Sequence, residues 1–202
     1  MKPSDTRWLA HERCVKAVKA SYTAIVTSLE HIYQESCEPE SLGLKKALGK
    51  KSTISAVYLL DYVLPQLAKL SKALQTEKLD LSVVSSVVEA TIQSIVDAVL
   101  PAANWVLELL EDCDDLQTAT EVMLTQQDIT SFQDNVGKPF VVLVKENIAN
   151  RFSSSKDIIT SFSIFDPKKV PAPTSVDLIS YGEDSISTLI DHYGKDLQGK
   201  TV

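Results

Sequence analysis

The densest run of chemically capable side chains is Glu111-Asp112-Cys113-Asp114-Asp115. Four carboxylates around a thiol have donor types that suit a divalent cation, and grouped acids are what two-metal phosphoryl transfer uses. That chemistry needs carboxylates from separate elements converging on one point, and one linear run does not supply convergence. Acids at a helix start are favoured by the helix dipole without any metal, and this is the reading we adopt. His11 and Cys14 stand three apart, which puts both on one helix face. Nothing nearby supplies the third and fourth ligands of a closed zinc site. His31 and Cys37, six apart across a helix end, are no better placed. The chain has 3 histidines and lacks a Gly-x-x-x-x-Gly-Lys loop, a Gly-x-Ser-x-Gly elbow and a His-Glu-x-x-His helix. No catalytic triad or phosphate loop can be assembled from these residues, and no metal or cofactor is expected.

Asp5-Thr6-Arg7-Trp8-Leu9 is the most pointed local string. An exposed Trp beside an Arg can stack on an unpaired base, worth roughly 1–3 kcal/mol per base. From spacing alone, Trp8 simply opens an apolar stripe, seven residues before Val15. Charge weighs against independent tight DNA binding. Residues 1–51 hold nine Lys/Arg against six Asp/Glu, whereas residues 76–134 hold one Lys against twelve acids. Phosphate binding wants clustered cations, and an acidic block of this size repels a duplex brought near it.

The elements that would position these groups read as helices. With 202 residues, 6 Gly and 8 Pro, the chain is about one domain long and has too few turn-formers for a β-sandwich or barrel. No apolar run exceeds six residues, far short of the roughly 18–20 of a membrane span. Cys14, Cys37 and Cys113 fit neither a disulfide framework nor paired metal spacing. A soluble, intracellular, mostly helical domain is expected.

Ser4 or Asp5 can cap a first helix whose stripe is Trp8, His11, Val15, Val18, Tyr22, Ile25, Leu29 and Ile32, ending at Cys37-Glu38-Pro39. A short basic stretch, 42–51, follows. A second helix should start near Ser52 or Thr53, with Leu60, Val63, Leu67, Leu70 and Leu74 inward and a kink or a split at Pro65. A third runs from about Asp80 to Leu100 on Val84, Val88, Ile92, Ile95 and Val99. Trp105, Leu109, Leu110 and Leu116 continue a helical face to about Gln127. Residues 140–144 fit a buried strand or a helix. Helix is favoured because Pro139 suits a first helical position and Phe140, Val144, Ile148 and Phe152 recur every fourth residue. Domain bounds follow: a helical domain over 1–166, a proline-rich linker over 167–175 and a short helical segment over 176–202.

At Thr6-Arg7-Trp8-Leu9-Ala10-His11 the chain resembles the Thr-Arg-Trp-Leu-Ser-His motif of hAT-superfamily transposases and their domesticated, zinc-finger-862-like relatives. Tyr62 to Leu81 is similar to that group's helical segment with Leu-Ser-x-x-Leu-Gln. Asn150-Arg151-Phe152 and Ile164-Phe165-Asp166-Pro167-Lys168 resemble its Arg-Phe and Leu-Asp-Pro-Arg/Lys elements, and Tyr181-Gly182 and His192-Tyr193-Gly194 fit the segment beyond. The resemblance implies an irregular multi-helix bundle, the helical insertion of an RNase H-like transposase, with little or no sheet. In such transposases the Trp of the Arg-Trp motif helps hold a flipped base, a role that would fall on Trp8 with Arg7 beside it. The family's catalytic acids and zinc-finger modules lie outside these 202 residues, so two-metal transfer is not expected of this chain alone. The resemblance thus implies a non-catalytic nuclear scaffold or protein-interaction domain, with protein partners and no membrane. The alternative is a DNA-binding remnant that uses the basic amino end and Trp8. Self-association stays open.

Overall fold

The computed structural model describes residues 7–76, 81–153 and 156–198, with no strand among them. Eleven α-helices are described: α1 Arg7–Ala20, α2 Tyr22–Ser36, α3 Pro39–Leu48, α4 Lys51–Leu74, α5 Leu81–Val96, α6 Asn104–Glu111, α7 Cys113–Thr120, α8 Gln126–Phe132, α9 Lys138–Ser153, α10 Lys156–Ser161 and α11 Glu183–Gln198. Short 3-10 turns at Asp97–Val99, Phe162–Phe165 and Val176–Leu178 and a π-helical segment at Gln133–Gly137 join them. The expected mostly α, multi-helix bundle is what forms.

α4 is the axis. Its apolar face, including Ile54, Tyr58, Leu59, Val63 and Leu67, is buried against α1, α5, α6 and α8. α2 lies on α3 and α7 at one end, while α5 carries α9 and α10 at the other, and α11 packs back onto α10. One continuous apolar cluster runs through the molecule. Pro65 stays inside α4, which remains one helix rather than two. The reason is packing: Val63, Leu64, Leu67 and Ala68 are all buried around the proline, so tertiary contacts outweigh one lost backbone bond.

The first expected helix is divided. Ser21 leaves helical geometry at φ −115°, and its amide is shared between the carbonyls of Ala17 (3.1 Å) and Val18 (3.3 Å). α1 can therefore follow α4 while α2 turns toward α3, where the Tyr22 hydroxyl donates to the Leu48 carbonyl at 2.6 Å. Of the expected stripe, Tyr22 is buried, Val15, Val18, Ile25 and Leu29 are half-buried, and His11 and Ile32 are exposed. The side chain of Trp8 and the proposed caps Ser4 and Asp5 lie outside the described residues.

The basic stretch expected at 42–51 is instead mostly helix, α3, which Pro39 opens at its first turn, where a missing N–H costs nothing. The face expected to run from Trp105 to Gln127 ends at Thr120, because Glu121 takes the left-handed conformation (φ 60°) and its amide returns to the Gln117 carbonyl. A new helix starts at a capping box, with Thr125 and Asp128 exchanging side-chain and backbone bonds. Lys51 pairs with the same carboxylate at 2.8 Å and, with the box, pulls the Asp128 acid down to about 2.

Residues 140–144 are helix. Pro139 sits just inside α9, and the π segment ahead of it absorbs the bond it cannot make: the Lys138 amide donates to the Gln133 carbonyl, five residues back. The widened turn also brings Gly137 against Leu59 and Val99 and lets buried Gln133 donate to the Leu100 carbonyl at 3.0 Å. Beyond the proline-rich connection, Gly182 (φ 84°) makes the turn into α11, a conformation that a Cβ would strain.

One buried polar atom has no partner among the described residues: the hydroxyl of Ser55, 1% exposed on α4. An unsatisfied buried hydroxyl costs stability, and Ala is the better helix former. Ser55→Ala should raise the melting temperature by about 2–4 °C, equivalent to about 1 kcal/mol at this chain length. A fall measured by calorimetry would mean that the hydroxyl is satisfied.

Candidate functional site

Two places bring side chains together from separate helices. The first is a charged clamp on α1, α4 and α6. Lys19 of α1 reaches the Asp61 carboxylate of α4 at 3.0 Å and the Glu108 carboxylate of α6, with its ammonium 4.6 Å from the centre of the Tyr58 ring. Burial alone would lower the lysine's proton affinity; hydrogen bonds to Glu108 and Asp61 outweigh it, and the net shift is upward. The Tyr58 hydroxyl donates to Asp112 at 2.6 Å, and burial together with that carboxylate drives the phenol far above its ordinary range. Such a lysine is held protonated and is therefore no nucleophile, and such a tyrosine is no proton donor near neutrality. The arrangement ties three helices together.

The acidic run is thereby accounted for in part. Asp112 accepts from Tyr58, and Asp114 and Asp115 occupy the first turn of α7, where the dipole favours them. Burial, with Asp114 and Asp112 adding to it, pushes the Cys113 thiol up, away from nucleophilic reactivity. Among the described residues no three His, Cys, Asp or Glu side chains converge as a metal site. His11, Cys14, His31 and Cys37 are all exposed. Arg7 and Trp8 stand in the first turn of α1, and their side chains lie outside the described residues. Three of the cations that follow, Lys19, Lys45 and Lys51, are committed to carboxylates, Lys45 to Glu30 at 2.6 Å and to Glu121 at 3.7 Å.

The second place is a groove of about 580 Å³ between α4 and α9. Leu67, Leu70 and Ile148 are buried in it, while Leu74, Phe140 and Val144 are half-buried along its sides. Leu143 stands on its edge, 60% exposed. Gly137, at the head of α9, lies on Leu59 of α4, and Gln75, just past α4, and Arg151, in the last turn of α9, are among the residues that line the groove. The volume is that of a ligand-sized cleft, and the polar groups sit at the edge rather than the floor. No histidine, cysteine or carboxylate lines it; its chemistry is that of binding.

Sequence reading places Leu67, Leu70 and Leu74 inward and notes the recurrence of Phe140, Val144, Ile148 and Phe152; these residues belong to the continuous core or pack against it. The groove it did not find, and the signal for it is Leu143, an apolar residue beside a stripe already complete. The stretch Leu81–Val99 is apolar enough, by length and composition alone, to cross a membrane; here it forms α5 and the 3-10 turn after it, packed on α4 and α9. Comparison with protein-family models, with curated proteins and with solved structures yields no match.

Proposed function

We propose that this chain is a helical protein-interaction module without catalytic activity of its own, descended from a hAT-type transposase and acting in the nucleus. The observation that carries the binding role is the solvent-open apolar groove between α4 and α9. Leu143 is 60% exposed there and Leu74 half-exposed, apolar surface that a partner would remove from water. The ordered motifs at Thr6–His11, Tyr62–Leu81, Asn150–Phe152 and Ile164–Lys168 support the descent.

The test is selection of 12-residue peptides from a random library, followed by hydrogen-exchange mapping of those that bind. Protection should concentrate on the second half of α4 and on α9, and Leu143→Glu should abolish it. Binding elsewhere, or no selected binder, overturns the role. Robust metal-dependent nicking of DNA by the purified chain, lost on replacing one carboxylate, overturns the non-catalytic half.

A further inference from the structure

We infer that Ser180 is a phosphorylation site, modified by a protein kinase that recognises carboxylates downstream of the acceptor hydroxyl. The sequence singles it out first. Ser180-Tyr181-Gly182-Glu183-Asp184 closes the proline-rich connection, and Asp177 stands three residues before it. Of the Ser and Thr residues with a carboxylate three positions on, Ser180 alone has a second at the fourth. A kinase that meets such a segment with cations of its own gains both attraction and discrimination against other hydroxyls.

The structure then separates Ser180 from its competitors. A kinase cleft takes a short extended segment, so an acceptor inside a helix must first be unwound. Ser86 and Ser94 of α5, Thr118 of α7 and Thr188 of α11 have the carboxylate but lie in helices, and each hydroxyl donates to a carbonyl of the preceding turn. Thr125 is held in its capping box with Asp128. Thr174 lies outside a helix, yet the Asp177 carboxylate three residues on already accepts from Ser175 at 3.2 Å. Ser180 lies in the bend between the Val176–Leu178 turn and α11, exposed, and its hydroxyl makes no hydrogen bond to a described residue. Ile179 beside it is 85% exposed. Glu183 and Asp184 are exposed in the first turn of α11, and neither forms an ion pair with a described residue. Extending the chain through them breaks few bonds, because first-turn amides have no partner within the helix. The turn bonds that must open are long: Tyr181 amide to Leu178 carbonyl at 3.4 Å and Glu183 amide to Ser180 carbonyl at 3.3 Å. In the transfer, the Ser180 hydroxyl oxygen bonds to the γ-phosphorus of ATP as the bond to the β,γ-bridging oxygen breaks. ADP leaves with that electron pair, and the kinase's catalytic carboxylate takes the hydroxyl proton. The product carries about −1.5 to −2 more charge at the amino end of α11.

The experiment incubates the folded full chain with an acid-directed serine/threonine kinase, magnesium and radiolabelled ATP, and maps the product by tandem mass spectrometry. One phosphoryl group per chain is expected, on Ser180. Ser180→Ala should abolish it without changing the circular dichroism, since the side chain is exposed. Glu183→Gln together with Asp184→Asn should slow labelling roughly tenfold, the loss of two exposed charge pairs with the kinase. Thr174→Ala should leave the rate unchanged. No incorporation, or incorporation mapped to another hydroxyl, overturns the site. Labelling of the heat-unfolded chain only also overturns it, because the folded bend is what presents the serine. Labelling of the Glu183→Gln, Asp184→Asn chain at the wild-type rate overturns recognition through the carboxylates.

Discussion

Trp105→Ala should lower the melting temperature by roughly 10–15 °C, the consequence of about 3–5 kcal/mol lost from the core at this chain length. Trp105 is 1% exposed, the largest of the fully buried side chains, and three contacts depend on it. Its indole N–H donates to the Ala98 carbonyl at 2.6 Å, its ring meets Phe132 edge to face at 6.3 Å, and α6 is held on α4 beside it. Truncation opens a cavity and leaves the Ala98 carbonyl, in a residue with no exposure, without a donor. Trp105→Phe separates the two effects: it keeps most of the apolar contact and loses only the hydrogen bond, a cost of about 1–3 kcal/mol. A calorimetric drop below about 3 °C for the alanine variant would mean that α6 is not anchored through this residue.

Lys19→Met should cost about 1–2 kcal/mol at neutral pH, second only to loss of the tryptophan. Lys19 is 18% exposed and faces two carboxylates, so its removal leaves Asp61 and Glu108 without their shared counter-charge. The loss stays nearer the value of a surface pair than that of a buried one because Glu108 is 53% exposed and screened. The pH dependence has a definite sign. The folded-state proton affinity of Lys19 is raised above the ordinary lysine value of 10.5, so the folded chain holds that proton more tightly than the unfolded one. The stabilisation is complete below the unfolded value and is lost as pH rises through the folded one. Tyr22, pushed up to about 12 by burial, and Tyr58 lose stability in the same direction. The difference in unfolding free energy between wild type and Lys19→Met isolates the lysine. It should be constant from about pH 7 to 10 and shrink above that, and a difference that grows with pH would refute the clamp.

Helical periodicity carried far in this chain because it reports burial on one element. Val84, Val88 and Ile95 of α5 and Leu67 and Leu70 of α4 are buried where their spacing put them. Periodicity says nothing of where a helix bends to satisfy a neighbour. Ser21 divides the first helix because α1 follows α4 and α2 follows α3, and Pro65 fails to divide α4 because buried side chains surround it. The π segment before Pro139 was likewise not read from local pattern, which does not report the packing of Gly137 beside Leu59 and Val99 that accompanies it. The candidate groove was legible as two stripes and illegible as a groove.

From residue types and their order alone came the α class, the inward faces of the long helices, the division of charge along the chain and the resemblance at the Arg-Trp string. All of these are local, arising from 3.6-residue periodicity and from counting charges. Which cations are neutralised and which stay free, and which apolar stripe is covered and which is open, depend on contacts between residues far apart in the chain. Lys19 finds Glu108, while Arg151 finds no carboxylate among the described residues, because packing decides which helices lie side by side.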